Sequence, residues 1–243
     1  EEAERHADEP GEPNRSERDP QAAKERRPFV GPVHELGERR ARAATGAGDG
    51  TWLVAAEQRR GRGSRGRTWH SPRGGLWLSV LRRGGATAGG FELLSLRAGL
   101  AVAQVLDGLP PIAPVMLKWP NDLMVRDRKA GGLLAEARWQ GDRLLWVAIG
   151  VGLNVANAVP ADLEGRAVAL NDFCSETTVE ALAEPIARAL ATVDLEAPRL
   201  TTEELSELRA RDWLLGRGIS APLAGTGAGI DEHGRLVVLD AGG

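Results

Sequence analysis

The feature that most constrains the fold of this chain is its longest apolar stretch, at about residues 144–159, which begins with the sequence LLWVAIGVGLNVA at 144–156. The stretch is interrupted by two glycines and two asparagines: Gly150, Gly152, Asn154 and Asn157. These interruptions leave it too short and too polar to span a bilayer. They favour a long buried strand instead, and a chain of 243 residues with 42% apolar content can enclose one in a sizeable core.

The remaining elements are mostly strands with a few helices between them. Strands are predicted at residues 29–36, 51–57, 76–82 and 114–118, on both sides of a turn at 127–130, and within the last 27 residues. Helices are predicted at 38–45, 91–109 and 178–195, and a fourth after Thr201, where Glu204 completes a capping-box signature. This order predicts an α+β fold in which helices back one face of a mixed β-sheet.

Several classes of protein are excluded by simple counts. The single cysteine, Cys174, excludes an intrachain disulfide framework, and four histidines add no cluster with metal-ligand spacing. The charged start of the sequence has no apolar core of a signal peptide. We therefore expect a cytoplasmic protein with no membrane partner.

The charges are distributed unevenly along the chain. Residues 1–28 carry nine acidic and six basic side chains with hardly any large apolar ones, which predicts a disordered tail. The rest of the chain has 25 residues of each sign. A neutral body does not indicate a general nucleic-acid binder, and the tail leaves no room for a helix-turn-helix, so no DNA partner is expected.

A local exception is the segment 59–73, which holds six arginines and no carboxylate. Its GRGSRG sequence matches G-x-G-x-x-G, but no helix follows, which disfavours a dinucleotide-binding fold. We interpret 58–75 as a flexible loop whose backbone N–H groups and arginines bind phosphate, with Trp69 placed to stack on a purine. A solvated basic loop and an Arg/Gly nucleic-acid-binding loop are the alternatives.

Lysine is rare in this sequence, with three residues against 28 arginines. Such a skew is typical of a GC-rich genome, in which a remaining lysine is a candidate for chemistry that arginine cannot perform. Lys24 lies in the predicted tail. Lys118 begins the sequence KWPNDL, and eleven residues later Lys129 begins KAGGLLAE.

Together and in this order, GRGSRGRTWHSP, KWPNDL, KAGGLLAE and GVGLN resemble the biotin–protein ligases, or biotin–[acetyl-CoA-carboxylase] ligases, in their short form without a DNA-binding domain. The resemblance implies that the carboxylate of biotin attacks the α-phosphate of ATP, with Mg²⁺, to give biotinyl-AMP and pyrophosphate. A lysine of a biotin carboxyl carrier domain then takes up biotin and AMP leaves. It also implies three regions: a tail at 1–28, a catalytic domain at 29–214 and a partial, truncated C-terminal β-barrel at 215–243.

The resemblance also assigns roles to individual residues. The catalytic residues that it implies are Lys118, Arg62 and Lys129. The residues implied to bind biotin are Gln58, Arg62, Gly63, Ser64, Lys129, Gly131 and Gly132. Those implied to bind ATP and the adenylate are Arg65, Arg67, Trp69, Lys118, Asn121, Asp122 and Asn154. No side-chain cluster for a metal is implied, and Mg²⁺ would enter with ATP near Asp122.

The sequence departs from the family pattern at three places. The family's Ser-Thr-Asn motif is replaced at 36–42 by LGERRAR, which predicts weaker biotin binding. Ser64 stands where a second arginine is usual, and we expect the C-terminal β-barrel to be one or more strands short. The alternatives are therefore a degraded non-catalytic homologue, a relative that uses lipoate or octanoate, and an RNA-binding module. A homodimer is compatible with each of these functions.

Overall fold

The structure is a computed structural model, and it describes residues 29–30, 47–84, 87–109, 114–221 and 224–240. Residues 29–30 are described by their backbone alone. The predicted tail at 1–28, the predicted helix at 38–45 and the replaced motif at 36–42 lie outside the described residues.

The described residues form twelve strands and three α-helices. The strands are β1 (Phe29–Val30), β2 (Trp52–Ala55), β3 (Gln58–Arg62), β4 (Thr68–Ser71), β5 (Leu76–Arg82), β6 (Met116–Lys118), β7 (Asp122–Val125), β8 (Arg128–Gln140), β9 (Arg143–Leu153), β10 (Gly218–Ile219), β11 (Gly225–Ile230) and β12 (Leu236–Leu239). The helices are α1 (Ala88–Asp107), α2 (Val179–Ala191) and α3 (Thr202–Arg211).

Seven strands make the main sheet, in the order β1-β2-β5-β9-β8-β7-β6. Each neighbouring pair is antiparallel except β1 with β2, which is parallel, so the predicted mixed sheet is confirmed. The apolar stretch that the sequence singled out becomes β9, the central strand. It pairs with β5 on one side and β8 on the other, so its backbone groups are satisfied within the sheet.

The two faces of the sheet are covered differently. Alternate side chains of β5 (Leu76, Leu78 and Val80) lie in the large core that the three helices share. The intervening Trp77 belongs to a small cluster with Ala55 on the opposite face. The prediction of helices on one face is confirmed, and the other face is left for the candidate site.

Helix α1 fills the centre of the large core. It begins after Thr87, whose side chain accepts a hydrogen bond from the Gly90 N–H, and ends at Asp107 before Gly108. By length and composition it could cross a membrane, but 61% of its most apolar segment of 18 residues is buried inside the structure. It is the core helix of this fold.

A buried arginine attaches α1 to the start of α3. Arg97 is 4% exposed, and its guanidinium donates to Glu204 at 2.8 Å and to the backbone carbonyls of Asp194, Ala197 and Arg199. Glu204 also completes the predicted capping box with Thr201. Each donor of this buried charge is thus paired, as burial requires.

The C-terminal strands β10, β11 and β12 form a small antiparallel sheet with the predicted turn at 231–234. In the described part of the chain this sheet is open, and no closed barrel is formed. It packs on the main body: the Trp119 indole N–H donates to the Gly234 carbonyl at 2.9 Å, and Ile230 joins the large core.

The prediction of an irregular loop at 58–75 was wrong. Strands β3 and β4 form a two-stranded antiparallel hairpin, closed by a 3₁₀ turn at Ser64–Gly66. Arginines occupy the solvent-facing positions of β3, so the apolar alternation that identifies a strand is absent. At the tip, Arg65 has a left-handed φ of 58°.

Candidate active site

A cavity of about 290 Å³ lies on the face of the sheet opposite the helices. Its walls come from the hairpin β3–β4, from the adjoining parts of β7, β8 and β9, and from the segment 154–167 that follows β9. The predicted site residues that line it are Gln58, Arg62, Gly63, Ser64, Arg67, Trp69, Asn121, Asp122, Lys129, Gly132 and Asn154. The fold therefore brings most of the motif residues to one cavity.

Glycines of β8 and β9 line part of the sheet side of the cavity, beside the side chains of Leu133, Leu134 and Val151. A Cβ on Gly152 would lie 2.6 Å from the indole nitrogen of Trp69, so the Trp69 ring packs directly on this backbone. A Cβ on Gly131 would lie 2.8 Å from the Gly152 carbonyl oxygen, and Gly131 supports the wall from behind without lining the cavity. The close approach of Trp69 to β9, and of β8 to β9, thus requires glycine at both positions.

An ion pair crosses the floor between β7 and β8. The Lys129 Nζ lies 2.5 Å from Asp122 Oδ1, and the two side chains are 27% and 21% exposed. The same ammonium lies 5.0 Å from the centre of the Trp69 ring, within range of a cation–π interaction. Lys129 is therefore a cation in the cavity whose charge is balanced by one neighbouring carboxylate.

Trp69 is held between Gly152 and Lys129. Its indole N–H is buried and has no hydrogen-bond partner among the described residues. Leaving a buried donor unpaired costs about 1–3 kcal/mol. The buried Trp69 N–H therefore lowers the stability of the fold. Natural proteins commonly accept such a cost at functional sites.

Asparagines organise the segment after β9. The Asn157 amide donates to Asn154 Oδ1 at 3.1 Å and its oxygen accepts from the Val155 N–H at 3.1 Å. On the other wall, the Asn121 amide donates to the Leu133 carbonyl at 2.6 Å. The prediction omitted Asn157, although a polar residue three positions after Asn154 in an apolar run was a usable signal. It also omitted His70, which lines the cavity from β4.

The hairpin side of the cavity is polar and partly self-paired. Gln58 Oε1 accepts a hydrogen bond from the Ser71 hydroxyl at 2.9 Å. The Arg67 guanidinium donates to the Ser64 hydroxyl at 3.1 Å and to the Ser64 carbonyl at 3.3 Å. At the position where the family has a second arginine, Ser64 therefore fixes the orientation of Arg67.

Two further predicted residues do not line this cavity. Arg65 lies exposed at the tip of the hairpin, and Lys118 projects from β6 toward the C-terminal segment. The Lys118 Nζ lies 4.5 Å from the centre of the Trp213 ring. Lys118 is nonetheless the register partner of Asp122, so its backbone lies at the edge of the site.

The residue before Trp213 is a buried acid. Asp212 is 5% exposed; its Oδ1 accepts from the Leu214 N–H at 2.8 Å, whereas its Oδ2 has no partner among the described residues. Burial raises the pKa of the Asp212 carboxyl above its usual 3.8, because a charged carboxylate loses its hydration there.

Comparison with known proteins decides the family. Residues 43–154 match the model of the biotin/lipoate A/B protein ligase family. The biotin–[acetyl-CoA-carboxylase] ligase of Mycobacterium tuberculosis is 35% identical over 218 residues, which cover 84% of this chain and 78% of that protein. The chain belongs to the biotin–protein ligase family. The resemblance identified from the four motifs is thereby confirmed.

Two further members of the family differ in extent. The bifunctional ligase/repressor BirA of Bacillus subtilis is 36% identical over 150 residues, which span 59% of this chain but only 43% of that protein. The biotin protein ligase from Aquifex aeolicus, solved in complex with biotin and ATP, superposes with a TM-score of 0.69 at 25% identity, covering 89% of this chain and 93% of the other. This superposition confirms the α+β catalytic fold.

Proposed function

We propose that this chain is an ATP-dependent, AMP-forming ligase that attaches biotin to a biotin carboxyl carrier protein. The observation that carries the proposal is the convergence of the Lys129–Asp122 pair, Trp69 and two hairpin arginines, Arg62 and Arg67, on one cavity. The family relationship supports it, since a related enzyme has been solved with biotin and ATP together.

In the first step, a carboxylate oxygen of biotin attacks the α-phosphorus of ATP. The bond from that phosphorus to the bridging oxygen breaks, and pyrophosphate leaves. Because both reactants are anions, the cavity must supply positive charge, which we assign to Lys129, Arg62 and Lys118. We assign the biotin ring to the wall formed by Gly132 with Gln58, and the nucleotide to Trp69 and the Asn121–Asp122 corner.

In the second step, a lysine ε-amine of the carrier domain attacks the acyl carbon of biotinyl-AMP. An amide bond forms, the amine loses a proton and AMP leaves. The mixed anhydride is sensitive to water, so it must be shielded until the carrier arrives. The hairpin β3–β4 covers the cavity and places Arg62 and Arg67 over it, and we propose that it provides this shield.

Magnesium is proposed to enter with ATP. No group of three or more metal-ligating side chains occurs among the described residues, whereas Mg²⁺ commonly uses one or two carboxylates and the phosphates themselves. Asp122 provides one such carboxylate, and its Oδ1 pairs with Lys129. When bound, Mg²⁺ would neutralise charge on the phosphates.

The other sequence-based expectations remain proposals. We propose a catalytic domain over residues 29–214 and a C-terminal unit over 215–243, with a tail at 1–28. A cytoplasmic location, a homodimer and the absence of a DNA partner stay predictions in the same sense.

The test is to incubate the protein with biotin, ATP, Mg²⁺ and a carrier domain, and to follow pyrophosphate release and carrier mass. The proposal expects both pyrophosphate and a carrier heavier by one biotinyl group. A folded protein that gives neither product would contradict it and support a degraded, non-catalytic homologue. Parallel incubations replace biotin with lipoate or octanoate, and a carrier acylated only in one of these would assign the other branch of the family.

A further inference from the structure

The ammonium of Lys118 rests on an aromatic ring outside the cavity. Its Nζ lies 4.5 Å from the centre of the Trp213 ring, and it forms no salt bridge with a residue that the structure describes. Lys129, in contrast, lies 2.5 Å from a carboxylate oxygen of Asp122. Each of the two lysines thus lies over a tryptophan ring, Lys129 over Trp69 at 5.0 Å, but in the described part of the chain only Lys129 also has a carboxylate partner.

The Trp213 ring is itself fixed on several sides. Its indole N–H donates to Asp127 Oδ1 at 2.8 Å, and its backbone N–H donates to the Leu117 carbonyl at 3.0 Å. The Arg217 guanidinium lies 4.2 Å from the ring centre and donates to the same Asp127 oxygen at 2.6 Å. These contacts anchor the ring to the turn between β7 and β8 and to the start of the C-terminal sheet.

The Lys118 side chain can also reach the main cavity, because its backbone lies next to Asp122. Lys118 and Asp122 are directly opposite in the antiparallel pairing of β6 and β7, and opposite residues project from the same face of a sheet. Asp122 lines the main cavity. The Lys118 side chain thus begins beside the cavity and extends away from it toward Trp213.

We propose that Trp213 is a positioning residue that holds the Lys118 ammonium outside the cavity until a polyphosphate draws it in. The ring has no formal charge, so a phosphate that approaches Lys118 competes with a weak cation–π contact rather than with an ion pair. The inference concerns the ATP-binding step of the proposed function and rests on it.

The scarcity of lysine makes a direct spectroscopic test practical. Reductive methylation with ¹³C-formaldehyde labels the amines of Lys24, Lys118 and Lys129 and the N-terminus, and a Lys118→Arg variant assigns the Lys118 signal. A ring beneath the ammonium shifts that signal upfield. We expect ATP, with or without Mg²⁺, to remove the upfield shift in the unmutated protein, and Trp213→Leu to abolish it without ATP.

Steady-state kinetics provide the second readout. Because the cation–π contact no longer competes with phosphate, Trp213→Leu should lower the KM for ATP about two- to fivefold and leave the KM for biotin unchanged. Trp213→Phe keeps a ring and loses only the bond to Asp127, so it should retain the upfield shift. Trp146→Leu on β9 is the matched control for loss of a tryptophan and should change neither readout.

A Lys118 signal that is not shifted upfield in the ATP-free protein, or that ATP leaves in place, would overturn the proposal. So would an unchanged or raised KM for ATP in Trp213→Leu. The spectroscopic result does not depend on turnover. An absence of pyrophosphate release by the unmutated protein would refute the proposed function separately, whatever the Lys118 signal shows.

Discussion

Lys118 and Lys129 come from two motifs of equal standing in the sequence, yet the fold places them in different regions. Lys129 lies in the cavity and pairs with Asp122, so this region is close to neutral before a ligand enters. Lys118 lies at the outer edge of the sheet over Trp213, a partner with no charge. The cavity around Lys129 thus contains a balanced ion pair, whereas the region around Trp213 contains the Lys118 cation without a paired anion among the described residues.

The difference indicates that the two lysines have different roles in the reaction. A carboxylate from a ligand can take the place of the Asp122 oxygen at Lys129, so that this lysine faces an anion with or without ligand, which suits binding and orientation. Lys118 adds net positive charge when it moves, which suits the extra negative charge that develops on a phosphate during attack. Substitutions on the two sides should therefore affect different kinetic constants.

The largest expected effect is that of Lys118→Ala. Loss of a cation that acts on developing charge costs about 100- to 1,000-fold in rate, by analogy with the loss of an oxyanion donor. We expect kcat for pyrophosphate release to fall by this factor and the KM for biotin to stay nearly constant. Undiminished adenylate formation in this variant would contradict the assigned role.

Asp122→Asn tests the contribution of the ion pair between Asp122 and Lys129. The substitution keeps the size of the side chain but removes the charge that pairs with Lys129 and the carboxylate proposed for Mg²⁺. Hydrogen bonds to charged groups contribute about 1.5–3 kcal/mol, so we expect kcat/KM for ATP to fall about 10- to 150-fold. Asp142→Asn, in the exposed turn before β9, is the matched control, and an equal loss there would show a nonspecific charge effect.

Much of this arrangement followed from the sequence. The strand at 76–82 and the central strand β9 have strong apolar patterns, and the capping box at Thr201 has a local signature, so each was predicted near its observed position. The four motifs also identified the family. These features depend on neighbouring residues, which sequence patterns report directly.

Other parts depend on contacts between distant residues. The hairpin β3–β4 has its arginines toward solvent, and no periodic signal identified its strands. Trp213 lies in the C-terminal segment, and nothing near it in the sequence indicates that its ring meets Lys118. Asn157 had a signal, but its role became clear only from its bonds to Asn154 and Val155.

Asp212→Asn tests how the buried carboxyl next to Trp213 affects the free energy of unfolding. The pKa of Asp212 in the folded chain lies above 3.8 because of burial. Between the unfolded and folded pKa values the folded chain binds more protons, so stability falls as pH rises through that interval. Asparagine cannot ionise, so we expect about 1 kcal/mol of added stability at pH 7 and none at a pH below both values. Thermal unfolding of both proteins across this pH range measures the difference, and equal curves would refute it.

The smallest expected effect is that of Ser64→Arg in the hairpin. One added cation at this partly exposed position is worth about 0.2–1 kcal/mol, so biotinyl-AMP should leave the cavity about 1.4- to fivefold more slowly. Unassisted labelling of bystander lysines should fall in proportion. Ser64→Ala removes only the bond to Arg67 and serves as the control. Unchanged release of the adenylate from Ser64→Arg would refute the idea.

The central claim is that one cavity converts biotin and ATP into a held adenylate. The direct measurement is a single turnover without carrier, in which the protein is mixed with biotin and ATP–Mg²⁺ and the bound products are identified by mass spectrometry. The account predicts close to one biotinyl-AMP per active chain, with an equal amount of pyrophosphate released. Folded protein that binds both substrates and forms no biotinyl-AMP would contradict it.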